Sequence, residues 1–155
     1  MQKTLQDEIR QTRPFSSLEQ EALLSLERTA AVLGHAVERE FKAFGVTPTQ
    51  VNVLRILRGS RPNGLCRHEI GDRLVTPVPD VTRLLDRMEE AGWILRERSD
   101  EDRRLVRTTI TDDGLAMLER LDEPMREMDR RLIGHLSESE LRALIDLLTR
   151  ARHRD

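Results

Sequence analysis

Trp93-Ile94-Leu95-Arg96-Glu97-Arg98 and Leu105-Val106-Arg107-Thr108-Thr109-Ile110 are two β-rich runs of equal length. Between them stand Ser99-Asp100-Glu101-Asp102-Arg103-Arg104, six residues of which five are charged. β-Branched and aromatic side chains suit a half-buried pleated surface, and Val106, Thr108 and Ile110 share one face of a strand. The pattern predicts a hairpin whose charged tip projects into solvent or onto a charged partner.

Working backwards, Gly92 ends a helix. That helix is expected to open at Val75-Thr76-Pro77-Val78-Pro79, because first-turn N–H groups have no intrahelical partner and both prolines are tolerable there. Val81, Leu84, Leu85 and Met88 form its buried stripe. The opposite face presents Pro79, Thr82, Arg83, Asp86 and Arg87. A short helix over Cys66–Leu74 precedes it, with Ile70 and Leu74 inward, and Leu65 fits a brief strand. Gly59-Ser60-Arg61-Pro62-Asn63-Gly64 is a turn-rich loop. Before it, Thr47-Pro48-Thr49-Gln50 is the clearest helix start in the chain. Thr47 caps, Pro48 takes the first helical position and Gln50 closes the box. Val51, Leu54 and Leu57 carry that helix's apolar face.

The flanks are helical. Residues 1–16 read as an arm with a short helix around Thr4–Thr12. Ser17-Leu18-Glu19-Gln20 is a capping-box pattern that opens a long helix ending near Gly45. Its stripe runs through Leu18, Ala22, Leu26, Ala30, Leu33, Val37, Phe41 and Phe44. At 1.5 Å per residue this helix spans roughly 40 Å, longer than a small domain needs, so part of the stripe is expected to bury itself against another chain. Thr111 caps a helix running from Asp112 into the low 130s. Leu115, Leu118, Leu121, Met125, Met128 and Leu132 mark its stripe, and Pro124 should kink or split it. Ser137-Glu138-Ser139-Glu140 opens a last helix through about Arg152, with Leu141, Leu144, Ile145 and Leu148 on its apolar face.

Two short helices, a tight turn and a charged hairpin make a winged helix-turn-helix. The expected fold is mainly α with a small β-hairpin wing, flanked by long N- and C-terminal dimerisation helices. Residues 47–110 would form the DNA-binding module, and 1–46 with 111–155 the dimerisation region. A helix of this width fits the major groove. Thr82 and Arg83 lie in its N-terminal half, where recognition helices touch base edges. Asp102 and Arg104 are two apart, so in an extended wing their side chains leave on one side. A carboxylate there can hold a guanidinium in a bidentate fork, and such an Arg suits the narrow minor groove of A·T-rich DNA. Arg103 is a phosphate candidate. Two-fold symmetry would then demand a pseudo-palindromic operator with half-sites roughly 34 Å apart.

Leu74 to Glu89 (LVTPVPDVTRLLDRME) resembles the recognition region of MarR-type regulators. Ala91-Gly92-Trp93-Ile94, Arg96-Glu97-Arg98, Asp102-Arg103-Arg104 and Ile110-Thr111-Asp112-Asp113-Gly114 continue the resemblance. It covers about Thr47 to Leu121, and the wing followed by T-x-x-G is its most specific part. The resemblance implies a homodimeric regulator of double-stranded DNA, a repressor released by a small aromatic or phenolic ligand. It also implies that Arg104, supported by Asp102, enters the minor groove. Some relatives sense oxidation through a Cys near the start of the chain, supported by tyrosines. Here the one thiol is Cys66 and Tyr is absent, and a capping or buried role fits Cys66 better. His35 and Arg39 on the long first helix are polar candidates for a ligand cleft.

Composition bounds the alternatives. The 155 residues carry 26 Lys+Arg against 28 Asp+Glu, a net charge of −2, and 24 of the cations are Arg. Codon bias explains an Arg excess; so does binding to phosphate, which the guanidinium fork fits. From Leu65 to Ile110 nine Arg face ten Asp and Glu, so the module lacks the usual basic footprint of a DNA binder. Either its acids are turned away and paired with Arg, or it makes few phosphate contacts. The first alternative is favoured, with a salt dependence shallower than that of a strongly basic repressor. No run approaches a membrane span, and the N-terminus lacks a signal-peptide core, so a cytoplasmic protein is expected. Gly59–Gly64 is not followed by Lys and Ser/Thr, so it is no phosphate loop. His68-Glu69 lacks the second His of a zinc motif because position 72 is Asp. No enzyme, metal or cofactor fingerprint is present. The competing class is a winged-helix module for protein interaction or dimerisation alone, which would not need the Asp-x-Arg pair.

Overall fold

The computed structural model describes residues 3–99, 102 and 104–153. Its helices are α1 (Leu5–Glu8), α2 (Leu18–Lys42), α3 (Pro48–Gly59), α4 (Arg67–Arg73), α5 (Val81–Glu90), α6 (Asp112–Ile133) and α7 (Glu138–Arg152). Strands β1 (Ile94–Arg98) and β2 (Val106–Ile110) lie between α5 and α6. The chain divides into two compact units, Met1–Glu40 and Phe41–Asp155.

In the first unit, Thr4 and Asp7 form the reciprocal cap of α1, and Arg28 on α2 reaches Glu8 at 3.5 Å. Ser17 accepts from the Gln20 N–H as expected. The Gln20 carboxamide, however, accepts from the backbone and hydroxyl of Ser16. Leu18, Leu23, Leu26 and Val32 of α2 are exposed.

The second unit holds the core. Thr47 and Gln50 cap α3 reciprocally, with Pro48 at its start, and Val51, Val53, Leu54 and Leu57 are buried. α3 packs on α6 and β2, α4 on α5, and α5 on β1. β1 and β2 are antiparallel, with Ile94 opposite Ile110 and Arg98 opposite Val106. Leu65 adds a bridge to Thr108, so β2 has a partner on each side at that point. Thr108 and Ile110 are buried, while Val106, on the same face, is exposed toward the tip.

The hairpin is fastened to α6 at its base. Thr111 donates its hydroxyl to the Gly92 carbonyl at 2.6 Å and accepts from the Gly114 N–H at 3.1 Å. A Cβ on Gly114 would collide with the Trp93 carbonyl oxygen. The T-x-x-G signature is therefore a close approach of backbone to backbone.

Two expectations need correction. The prolines do not open α5. The helix begins at Val81 with Asp80 as N-cap, its carboxylate accepting from the Arg83 N–H at 2.9 Å. A capping carboxylate satisfies a first-turn N–H, which proline cannot do, so Pro77 and Pro79 stay in the loop. Pro124 does not split α6, which runs unbroken from Asp112 to Ile133. The ring stands on the exposed side, where water can satisfy the carbonyl that proline leaves unbonded. The stripe of α6 also includes Met117, which is buried, whereas Leu115 and Leu132 are half-buried.

Candidate nucleic-acid interface

α5 buries Leu85 and Met88 and leaves Arg83 and Arg87 exposed. Its N-terminal approach is fixed by Asn52, whose side-chain carbonyl accepts from the Val75 N–H at 2.9 Å. Thr82, in the first turn, is half-buried. Its hydroxyl oxygen accepts from Arg67 Nη1, on the first residue of α4, at 2.9 Å. Helical periodicity could not single out Arg67, because the bond joins two helices across a turn. Pro79 is exposed in the loop ahead of α5.

Asp86 is not free on the outer face. Its carboxylate accepts from Arg96 Nη2 at 2.6 Å, and the same guanidinium binds Glu89 through Nε at 3.0 Å and Nη2 at 2.7 Å. The Arg96 backbone N–H adds a bond to Glu89 at 3.0 Å. The recognition helix is thus tied to the first strand of the wing by two carboxylates on one guanidinium. The Arg96 hydrogen bond holds the Glu89 carboxyl below its ordinary range, against the opposing effect of burial.

In the wing, the Asp102 carboxylate accepts from the backbone N–H of Arg104 at 2.9 Å. The expected bidentate fork is replaced by this turn, because the nearest donor to a short Asp side chain is the backbone two residues on. Among the described residues no carboxylate pairs with the Arg104 guanidinium, and both residues are exposed. Arg103 lies outside the described residues. Arg67, Thr82, Arg96 and Arg104 border one groove between α4, α5 and the wing.

Cys66 stands at the N-cap of α4. Glu69 accepts from both its N–H and its thiol at 2.8 Å. Burial, then that hydrogen bond, pushes the Cys66 thiol pKa up, so the helix N-terminus does not create a reactive thiolate here. Among the described residues no group of His, Cys, Asp and Glu could hold a metal ion.

Five of the module's ten acids have a partner among the described residues. Glu69 closes a cap, Asp80 is a cap, Asp86 and Glu89 hold Arg96, and Asp102 binds backbone. Arg83 and Arg87 are exposed without a carboxylate partner among the described residues, and the exposed Glu90 shares their face of α5 one turn beyond Arg87.

A model of the MarR family matches residues 46–106, from the start of α3 to the second strand of the wing. Over 125 residues the chain is 30% identical to the HTH-type transcriptional regulator PecS of Dickeya dadantii (strain 3937), covering 78% of this chain and 75% of that protein. The chain belongs to the MarR family. It is a winged-helix transcriptional regulator, and the family is not one of enzymes. The MarR transcription factor of Planctomyces limnophilus is 43% identical, with a TM-score of 0.68 over 88% of this chain and 98% of that one. The transcriptional repressor CouR, solved on a 23-mer DNA duplex, is 26% identical with a TM-score of 0.77, covering 91% and 100%. Among the described residues no helix is long and apolar enough to cross a membrane.

Proposed function

We propose that this MarR-family regulator is a homodimeric repressor of a pseudo-palindromic operator. The recognition helix α5 enters the major groove with Arg83 and Arg87, and the wing lays Arg104 into the flanking minor groove. Residues 47–110 form the reading module, and residues 1–46 with 111–155 the dimerisation region. The carrying observation is the electrostatic sorting within the module. Asp86 and Glu89 are spent on Arg96, which leaves Arg83 and Arg87 as exposed cations in the N-terminal and middle turns of α5, with Glu90 as the one exposed acid at its C-terminal end. Such positioned guanidiniums bind guanine edges and phosphate bidentately.

Two further observations support the reading. CouR, a repressor of the same fold, was solved on a duplex. Leu144 and Leu147 of α7, one turn apart on one face, are 38% and 58% exposed, an apolar surface that suits a second copy. A small aromatic or phenolic ligand would release the operator by binding a DNA-incompetent conformation more tightly. Such a regulator works beside the chromosome, in the bacterial cytoplasm.

The test is fluorescence anisotropy with the inverted repeat flanking its own gene and with a shuffled duplex of equal composition. The repeat is expected to bind at least about a thousandfold more tightly at physiological salt. Equal affinity for both duplexes overturns operator recognition. A thermal-shift screen of aromatic acids tests the ligand, because a specific ligand raises Tm by mass action.

A further inference from the structure

We infer that Arg67 is a specificity-determining positioning residue that sets the hydrogen-bonding polarity of Thr82. The inference rests on the operator reading above and adds to it a residue outside the recognition helix.

A threonine hydroxyl is one donor and two acceptor lone pairs, and its proton rotates to suit its neighbours. In an unconstrained recognition helix it tolerates either kind of base edge. Here Arg67 Nη1 occupies a lone pair of the Thr82 oxygen at 2.9 Å. A bond from a charged donor is stronger than a neutral one and draws electron density from the hydroxyl, which makes its proton a better donor. No described residue accepts that proton. Thr82 therefore stands in the first turn of α5 with an unclaimed donor and with one of its two lone pairs already taken by a charged donor. Such a hydroxyl favours acceptor-bearing edges, guanine N7 and O6, adenine N7 and thymine O4, over the exocyclic amino groups of adenine and cytosine. Arg67 is exposed and has further guanidinium N–H groups to spare. Its charge adds a sequence-independent attraction to phosphate that is separable from the effect on Thr82.

The experiment is a double-mutant cycle read on two duplexes, one enriched by the wild-type protein from a random pool and one unselected. Arg67→Met is expected to weaken binding to the enriched duplex about tenfold in the wild-type background. In a Thr82→Val background the loss should be about twofold, a coupling within the range of side chains in contact. Thr82→Ser keeps the hydroxyl and should keep the full coupling. Arg67→Lys keeps a charged donor, so it should keep the salt slope and retain most of the base discrimination that Arg67→Met loses at the pair that Thr82 contacts. Circular dichroism melts confirm that each variant is folded. Additive losses, or equal losses on both duplexes, would reduce Arg67 to a staple between α4 and α5 and overturn the assignment. A wild-type protein that enriches no sequence would sink the operator reading itself; absent coupling in a protein that does enrich one sinks only the role of Arg67.

Discussion

The guanidinium of Arg96 closes on the carboxylate of Glu89 with two nitrogens, at 3.0 and 2.7 Å. One residue belongs to the wing and the other to the recognition helix. Their relative placement, on which the proposed contact with two grooves would depend, is thereby set by an ion pair and not by apolar packing alone. Arg96→Gln leaves the part-exposed Glu89 and Asp86 to water and should cost about 1 kcal/mol. The Glu89 carboxyl is held below its ordinary range in the folded protein. Its contribution is therefore complete above about pH 4.5 and is lost as pH falls through the lower folded value. Urea titrations at pH 7 and pH 3 should show the gap between wild type and Arg96→Gln shrinking in acid. A gap of constant size would mean that the pair does not titrate with folding.

Gly114→Ala is a second expectation, about the base of the wing. The added Cβ meets the Trp93 carbonyl oxygen and the Ile110 side chain. Neither the carbonyl nor the buried isoleucine can yield without moving the hairpin off α6. Overpacking of this kind costs about 1–3 kcal/mol, and Tm should drop by roughly 3–10 °C. A variant that melts with wild type would show that the approach is looser than this geometry.

Local signals were legible in the sequence and contacts across elements were not. Thr47, Thr111 and Ser137 cap where expected because the capping bond closes within three residues. The prolines before α5 misled because an Asp lay one residue beyond them and offered the better cap. Asp86 fell on the outer face of a helical wheel, yet the wheel carries no record of the strand alongside that supplies Arg96. Arg67 was invisible for the same reason, since it meets Thr82 only after the turn between α4 and α5 has formed. In the wing, Asp102 bonds Arg104 through the backbone N–H and not through the expected guanidinium fork. Sequence spacing could not say whether the carboxylate takes the guanidinium or the backbone N–H.

Arg104 and Arg83 should fail differently. Arg104→Ala is expected to weaken duplexes with A·T-rich flanks preferentially, because a narrow minor groove concentrates the potential that attracts the guanidinium. Arg83→Ala should cost about 1–3 kcal/mol on the operator and relax discrimination at one base pair. The module carries nine Arg against ten Asp and Glu, so the slope of log K against log salt should be shallower than for a strongly basic repressor. Uniform weakening by Arg104→Ala on every sequence would reduce the wing to a phosphate contact.

Cys66 should be a slow thiol. Burial and the Glu69 hydrogen bond raise its pKa, so the nucleophilic thiolate is scarcer at neutral pH than in a free cysteine. Alkylation by iodoacetamide at pH 7 should lag behind that of glutathione. Peroxide should leave operator affinity unchanged. Loss of binding on oxidation, prevented by Cys66→Ser, would make Cys66 a sensor after all.

The proposed dimer makes the strongest demand on α7. None of its side chains is buried, and Leu144, Ile145 and Leu147 are 38%, 64% and 58% exposed. Exposed apolar side chains contribute little to the fold of their own chain. Ile145→Asp combined with Leu147→Asp should therefore leave the wing and α3–α6 core intact, with helical circular dichroism near that of wild type. If second-copy contacts wrap α7 and reach both flanks, the same substitutions bury two charges and abolish association. Light scattering at micromolar concentration should then give a monomer mass for the variant and a dimer mass for wild type. Operator affinity should fall by 10²-fold or more, because the second half-site is no longer engaged at high effective concentration. A wild-type monomer, or a variant that remains dimeric, would place the interface elsewhere.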